Sequence, residues 1–576
     1  MQTPSIKRSL FLLSFLFTGV LVAQDKPLGN ETVIVVKPYT PSVNDAFKIK
    51  ETPVQGDSVS LEKKPVKYSI FSVPVASTFT PSKGRATKVE REKRVKLYDN
   101  YVTLGFGSYS NVLAEFYSNL EISKSDNFGV YLTHNSSQGG IEDVRLDDKY
   151  YDTELNLNYS SKNKKSNWNT ELGLQHQLFN WYGLPEQTRL SNELIVAIDP
   201  TQNYFSGSLG GELELYDSFL NKASANYRYF GDSYDSAEHN FKADGTFEVN
   251  IADELISTKV FANVLSGKFD QGYNTPNELK YSQMIFGITP SLLVLRDNLT
   301  LNLGASFVYG LDTENSDNSF YIYPQVTASY RLAGDYFIPY AGLEGSLSQN
   351  TYFNFAQGNP FVSPTLNITP TDKSYDAYVG AKGKLSNSIG YNLKGGYASE
   401  INKALYLANL SNPSSTEDYA FGNSFGVVYD DINTLSFSGE LNVDVNRDFK
   451  LGVRGSFYSY DSEFEAEAWN LPEMKASLLM DYQITEKWFA GANLFYTGER
   501  KDREETIDGG GAIGSRTITL DGFTDLNANV GYRFNDQLSI FARGNNLLGD
   551  TYERWSNFPV QGIQVMAGAT YKFDYK

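Results

Sequence analysis

Three histidines carry the side chains that most readily exchange protons near neutral pH. His134, His176 and His239 lie far apart, without a short repeated spacing that would place two of them on one face of an element. The 576-residue chain has no Cys, which excludes disulfides, thiolate metal sites and a cysteine nucleophile. We therefore predict no enzymatic activity, no metal site and no cofactor, and we expect the histidines in loops or on a hydrated interior face.

Two other patterns have the right residue types for chemistry but the wrong context. Gly509–Gly514 contains a formal G-x-G-x-x-G, which binds a dinucleotide only between a strand and a helix. Here it follows the charged residues Glu499–Glu505 and precedes another strand pattern, so it predicts an outer loop. Asp312–Asp317 and Glu463–Glu467 cluster carboxylates without the spacing of a calcium loop, and are predicted to be solvated.

The aromatic segment Tyr352–Thr371 is the best candidate for ligand binding. Its rings could stack against sugars or other planar ligands, as exposed aromatic side chains on loops often do. The candidate ligand-loop residues are Tyr352, Phe353, Phe355 and Phe361. The alternative is that these rings mark a membrane interface, and the sequence leaves both interpretations open.

The elements that must position these residues are strands. Apolar residues alternate with polar ones over Phe241–Ile251 and again over Leu435–Val445. Alternation places the two sets on opposite faces of a strand, so one face is apolar and the other hydrated. The 40 Tyr and 37 Phe fit the aromatic girdles of such a protein, and the net charge of −18 argues against nucleic acid as a partner.

Connections between the strand patterns alternate in length. Short polar turns, such as Ser125–Asn127 and Asn446–Asp448, are separated by long links, such as Lys403–Gly422 and Glu499–Ser515. This alternation is typical of an outer-membrane barrel with short periplasmic turns and longer outer loops. The sequence predicts an all-β fold, a transmembrane antiparallel β-barrel of about 22 strands over residues 101–576.

The region before the barrel differs in composition. Met1–Ala23 has the charged and apolar parts of a secretory signal peptide. Residues 24–100 are predicted to form a Pro-rich, partly basic, extended arm that lies in the periplasm or threads the barrel lumen. With 14 basic and 9 acidic residues, Asp25–Asn100 carries +5 and the signal +2, so Tyr101–Lys576 carries −25 of the total.

The end of the arm is basic, and we hypothesise that it docks against an acidic lumen or barrel rim. A solvated linker is the alternative. The basic residues of the arm are Lys83, Arg85, Lys88, Arg91, Lys93, Arg94 and Lys96.

The C-terminal segment carries a family resemblance. Asn545–Tyr552, Phe558-Pro559 and the final strand ending Tyr571–Phe573 resemble the C-terminal signature of TonB-dependent receptors, whose barrels have 22 strands. Ile563 departs from this signature, which usually has Arg there. The resemblance also implies a plug domain longer than Lys37–Asn100, so we predict a barrel without a typical plug, of the kind associated with Bacteroidota-type envelopes.

The same resemblance extends to a short segment of the arm. It looks like a TonB box, which adds to TonB as a strand, and its β-branched composition suits strand addition. The box-like residues are Glu31, Thr32, Val33, Ile34, Val35 and Val36. An ordinary extended segment is the alternative.

These observations leave three hypotheses for function at the outer membrane of a Gram-negative bacterium. The first is a receptor that binds or transports a solute, with TonB or another envelope protein as partner. The second is a passive channel that prefers cations because of its acidic barrel. The third is a structural or assembly subunit of an outer-membrane complex; in each case outer-membrane lipids and lipopolysaccharide surround the barrel.

Overall fold

The computed structural model describes residues 96–185, 190–251, 254–412, 414–507 and 513–575. Lys96 and Leu97, which precede the barrel, are exposed. From Asn100 to Phe573, 22 antiparallel strands form one closed sheet. Closure is direct, because the first strand pairs with the last from Asn100↔Phe573 to Gly107↔Met566. The predicted fold is therefore confirmed.

Strands are numbered in chain order. The barrel strands are β1 (Asn100–Gly107), β2 (Val112–Glu121), β3 (Asp126–Ser137), β4 (Tyr150–Lys162), β5 (Ser166–Asn180), β6 (Thr201–Leu215), β7 (Leu220–Asp232), β8 (Ala237–Ile251), β9 (Glu254–Phe269), β10 (Leu279–Arg296), β11 (Leu299–Asp312), β12 (Asp317–Tyr330), β14 (Ile338–Ser348), β15 (Thr371–Ser386), β16 (Ile389–Ala408), β17 (Phe425–Asp444), β18 (Phe449–Ser462), β19 (Met474–Gln483), β20 (Trp488–Thr497), β23 (Phe523–Arg533), β24 (Leu538–Asn545) and β27 (Gln564–Phe573). The elements outside the barrel sheet are β13 (Leu332–Asp335), β21 (Arg500–Ile507), β22 (Ile513–Leu520), β25 (Glu553–Trp555), β26 (Phe558–Pro559), α1 (Asn192–Ala197) and α2 (Tyr352–Gly358).

Alternation along the strands decides which side chains face outward. On β6, Phe205 and Leu209 are exposed, whereas Gln202 and Tyr204, which have the opposite phase of the alternation, are buried. The same phase recurs on neighbouring strands, so the barrel presents an apolar outer surface and a largely polar interior. A closed sheet also pairs its backbone groups internally, as a membrane requires. Among the described residues, no helix is both long and apolar enough to span a membrane.

The two ends of the barrel differ as the connection lengths predict. Short turns at one end join pairs such as β2–β3 and β15–β16, and the chain enters β1 and leaves β27 at this end. Long loops join β5–β6, β14–β15 and β16–β17 at the other end, which we call the outer mouth.

The prediction of irregular loops over Lys403–Gly422 and Glu499–Ser515 was partly wrong. Residues 403–408 continue β16, and much of Glu499–Ser515 lies in the β21–β22 hairpin. In both places the backbone N–H and C=O groups form hydrogen bonds with a neighbouring strand. The alternation of residue types does not reveal this pairing.

Several inward rings occupy the space beside a glycine on the neighbouring strand. A Cβ on Gly287 would lie 2.2 Å from the ring of Phe261, its partner in the register between β9 and β10. A Cβ on Gly531 would lie 2.1 Å from the ring of Phe489. The same relation holds for the pairs Gly267 and Tyr281, Gly342 and Tyr378, Gly380 and Tyr340, and Gly568 and Phe541. Glycine is needed at these positions because the partner ring already fills the space of a side chain.

Candidate functional site

The loop between β14 and β15 folds into the barrel at its outer mouth. We call residues 349–370 the lid. Tyr352 of the lid packs against three inward rings, with centroids 6.2 Å from Tyr204, 5.1 Å from Phe230 and 4.9 Å from Phe269. Because these rings belong to β6, β7 and β9, the lid lies inside the wall and not outside it.

The start of the lid is a capped helical turn. Thr351 accepts a hydrogen bond at its Oγ1 from the N–H of Asn354 at 3.0 Å, which satisfies one free donor of α2. Asn359 ends the helix by donating its N–H to the carbonyl of Phe355 at 2.8 Å. The short helix directs Tyr352, Phe355 and Ala356 into the buried cluster.

One wall carboxylate holds the first turn of this helix. Glu238, at the outer end of β8, accepts hydrogen bonds from the N–H of Tyr352 at 2.6 Å and the N–H of Phe353 at 3.3 Å. It also accepts one from the hydroxyl of Tyr281 at 2.9 Å. A carboxylate at a helix N-terminus accepts donors that the helix leaves free, so Glu238 is an effective anchor.

A second carboxylate anchors the ring of Tyr352. Its hydroxyl donates to Asp232 Oδ2 at 2.7 Å, and Asp232 ends β7 beside the start of β8. The guanidinium of Arg228, which is four residues before Asp232 on the same face of β7, lies 3.7 Å from the ring centroid of Phe353. Charged wall residues therefore surround the first turn of the lid.

The lid crosses the lumen. Gln357 donates to Gln177 Oε1 at 2.6 Å, and Gln177 lies on β5, eight strands from β14 around the ring of 22. On its return the lid pairs with β17, where Ser363 donates its N–H to the carbonyl of Phe425 at 2.8 Å. One loop thus bridges wall strands on well-separated sides of the barrel.

A second loop meets the lid from the opposite side. Phe558, in the β25–β26 hairpin, stacks on Phe361 with ring centroids 3.9 Å apart. Tyr182, in the β5–β6 loop, donates its hydroxyl to the carbonyl of Pro559 at 2.8 Å. Trp555 of the same hairpin contacts the rings of Tyr406 and Phe425. The lid and the β25–β26 hairpin together cover the outer mouth.

The β21–β22 hairpin is fixed to the mouth by polar contacts. Asp502 accepts from the N–H of Ala408 at 3.1 Å and of Arg503 at 2.7 Å, while Arg503 donates back to the carbonyl of Ala408. Glu505 accepts from the N–H of Ser411 at 2.6 Å. Burial, only partly offset by these hydrogen bonds, raises the pKa of Asp502 to about 6.

The predicted ligand-loop residues all lie in or beside the covered mouth. Tyr352 is 0% exposed and Phe355 is 6% exposed, whereas Phe353 and Phe361 are partly buried. Their rings contact other residues of this chain, and their part in ligand binding stays a prediction. The box-like segment Glu31–Val36 and basic residues 83–94 lie outside the described residues, and Lys96 is exposed.

The anchors of the lid could not be found from the sequence. Alternation places Glu238 on the interior face of β8, but nothing in the sequence pairs it with a loop 114 residues away. Gln177, Asp232 and Gln283 are likewise inward polar residues without a motif. Gln283 donates to the carbonyl of Ile368 at 2.6 Å and holds the returning part of the lid.

The three histidines lie on the outward face of the barrel strands. His134, His176 and His239 lie on strands and share the outward phase of the exposed Leu132, Leu174 and Phe241. The expectation of loop or interior positions was therefore wrong. Each of the three rings forms a hydrogen bond with a residue of a neighbouring strand, for example His239 with the hydroxyl of Tyr227 at 2.7 Å. Among the described residues, no group of three or more His, Asp or Glu could hold a metal ion.

Comparison with known proteins decides the family. Residues 93–547 match the sequence model of the family described as TonB dependent receptor-like, beta-barrel. The chain belongs to this family. Membership makes it an outer-membrane receptor-type barrel, in a family of transporters rather than enzymes, and it implies TonB as a partner. No curated protein matches the sequence of this TonB-dependent receptor-like barrel.

Solved structures share this fold at low sequence identity. The pyoverdine outer membrane receptor FpvA from Pseudomonas aeruginosa has a TM-score of 0.60 at 13% identity, over 84% of this chain and 80% of that one. The siderophore receptor PirA from Acinetobacter baumannii has a TM-score of 0.60 at 12% identity, over 84% and 81%. The FrpB iron transporter from Neisseria meningitidis has a TM-score of 0.61 at 10% identity, over 83% and 82%.

Proposed function

We propose that this TonB-dependent receptor-like barrel binds a solute at its outer mouth and passes it across the outer membrane by moving the lid. The observation that carries the proposal is the covered mouth. A lid bonded to β5, β8 and β17 and stacked on the β25–β26 hairpin is suited to gating, because several weak contacts can be exchanged for contacts with a ligand.

A permanently open, cation-preferring channel is the second candidate. It has one supporting observation, a surplus of inward carboxylates on β4–β8. They include Glu154, Glu171, Glu212, Glu214, Asp244 and Glu248, in addition to the lid anchors Asp232 and Glu238. Fixed negative charge along a lumen raises the local concentration of cations. Because the lid lies across the mouth, we favour gated transport; a large steady cation conductance in planar bilayers would instead support the channel.

The energy source that we propose is TonB acting on the arm, through the box-like residues Glu31–Val36. Strand addition needs each alternate backbone N–H of that segment, so proline in its centre removes a donor. We expect Ile34→Pro to lower the affinity of the full mature chain for TonB about tenfold, the loss expected for one or two hydrogen bonds.

The matched control is Ile70→Pro, which places the same substitution elsewhere in the arm. Equal binding by the two variants, or no binding of TonB to the unaltered chain, would reject energised uptake through this segment. The arm and barrel portion carry opposite net charges, which supports a further role of the basic residues Lys83–Lys96 in controlling passage.

The solute remains a proposal at the level of chemistry. The similar structures are named as receptors for pyoverdine and siderophores or as an iron transporter, and their low identity fixes only the fold. A role as an assembly subunit predicts a stoichiometric partner on affinity purification from native membranes. Recovery of the barrel without such a partner would support the receptor hypothesis.

A further inference from the structure

Three basic side chains meet at the inner side of the outer mouth. Lys475 is the second residue of β19, Arg500 begins β21 and Arg554 lies in the middle of β25. Arg500 donates from Nη2 to the carbonyl of Glu553 at 2.8 Å and from Nη1 to the carbonyl of Arg554. The amine of Lys475 experiences the charge of both guanidinium groups.

Register and packing place this cluster on the lumenal side of the wall. Lys475 pairs with Thr497, in the same phase as the inward Phe495. The guanidinium of Arg500 lies 5.3 Å from the ring centroid of Phe523, which also faces inward. The ring of Tyr552 stacks on Phe523 at 3.8 Å and 3°, so a flat aromatic surface borders the three cations.

No described carboxylate forms an ion pair with any of the three cations. The negative charges of Asp502 and Glu553 attract the guanidinium of Arg500 without forming an ion pair with it. Asp502 instead accepts a hydrogen bond from the N–H of Ala408, and Glu553 accepts one from the N–H of Asn557 at 3.1 Å. Asp525 accepts from the hydroxyl of Tyr552 at 2.9 Å. Each of these acids thus accepts a hydrogen bond from a group outside the three cations, although Asp502 Oδ2 and Asp525 Oδ1 are buried without a partner.

Arg500 itself is nearly enclosed. Its side chain is 6% exposed, and its Nε is buried without a hydrogen-bond partner. Burial and the neighbouring Arg554 lower the pKa of Arg500 to about 10. Like charges held together in a partly dry place are unfavourable unless an anion joins them, so the arrangement favours binding of an anion.

We propose that Lys475, Arg500 and Arg554 form a binding site for a carboxylate or phosphate group of the transported solute. This inference rests on the proposed receptor function and deepens it by naming a ligand class. Guanidinium groups suit planar or tetrahedral oxyanions, and the Phe523 and Tyr552 rings offer a stacking surface for an attached ring. The expected ligand is an organic anion.

The test measures binding of inorganic phosphate to the full mature chain in detergent by titration calorimetry, at constant ionic strength set with chloride. Lys475→Gln removes one charge from an exposed side chain without disturbing packing, and we expect it to weaken phosphate binding about tenfold. Arg554→Gln should have a similar effect. The matched control is Lys450→Gln, an exposed lysine beside Asp444 at the opposite end of the barrel, with binding unchanged.

Equal phosphate affinity in Lys475→Gln and the unaltered chain would overturn the proposal, as would an equal loss in Lys450→Gln. A second arm repeats the titration in nanodiscs that contain lipid A. If lipid A abolishes phosphate binding, the phosphate comes from membrane lipid and the solute site is rejected. Neither measurement involves TonB, so failure of energised uptake and failure of this site give different results.

Discussion

Removal of the Glu238 carboxylate should release the lid. Glu238→Ala leaves three donors without their acceptor, namely the N–H groups of Tyr352 and Phe353 and the hydroxyl of Tyr281. A buried donor that loses its partner costs about 1–3 kcal/mol, so the smallest total is about 3 kcal/mol. That free energy corresponds to roughly a hundredfold increase in the equilibrium constant for lid opening.

The assay is hydrogen exchange of peptides that cover residues 349–370, because exchange reports local opening that leaves the barrel intact. We expect amide protection in the lid to fall roughly a hundredfold in Glu238→Ala, and less in Glu238→Gln, which keeps a neutral acceptor. The control is Glu248→Ala, on the same strand and the same inward face but far from the lid. Unchanged lid protection in Glu238→Ala, or an equal fall in Glu248→Ala, would refute the anchoring argument.

Two further predictions concern other parts of the structure. Burial raises the pKa of Asp502 from 3.8 to about 6. Docking of the β21–β22 hairpin should therefore be most stable below about pH 4, where Asp502 is protonated in both the docked and the undocked state. As pH rises from about 4 to about 6, docking should weaken by about 3 kcal/mol in total. Exchange protection of β21–β22, corrected for the intrinsic rate, should fall over that range in the unaltered chain and stay level in Asp502→Asn; protection that rises with pH would contradict this account. Gly531→Val should displace the Phe489 ring and destabilise the barrel by about 1–3 kcal/mol, measured by urea unfolding. The control is Gly455→Val, which should cost less because a Cβ there meets nothing within 4 Å. Equal losses of stability would show that the Phe489 ring is not the reason for glycine at position 531.

The barrel could be predicted from the sequence because its information is local. Alternation over Phe241–Ile251 requires only that one face meets lipid and the other water, and each strand repeats that requirement. Strand number and the two classes of connection follow from the same pattern. The structure confirms 22 strands, with β1 starting at Asn100 and β27 ending at Phe573.

The outer mouth could not be predicted because its contacts are distant in sequence. Tyr352 is buried by rings on β6, β7 and β9, and Gln357 meets Gln177 at a separation of 180 residues. An aromatic loop that binds a ligand and one that packs into its own barrel have the same composition. The positions of the histidines were predicted wrongly for a related reason. A polar residue on the outward face is unfavourable unless it has a hydrogen-bond partner, and His176 finds that partner in Asn203 on the next strand.

The glycine and ring pairs along the wall have a consequence for the width of the bore. A Tyr or Phe that projected straight toward the barrel axis would narrow the passage, but one that settles over a glycine of the next strand takes its room from the wall itself. The aromatic rings thereby add contact area between strands without narrowing the lumen. In the gating function proposed above, the loops at the outer mouth restrict flow, so permeability would change while the barrel wall keeps its shape.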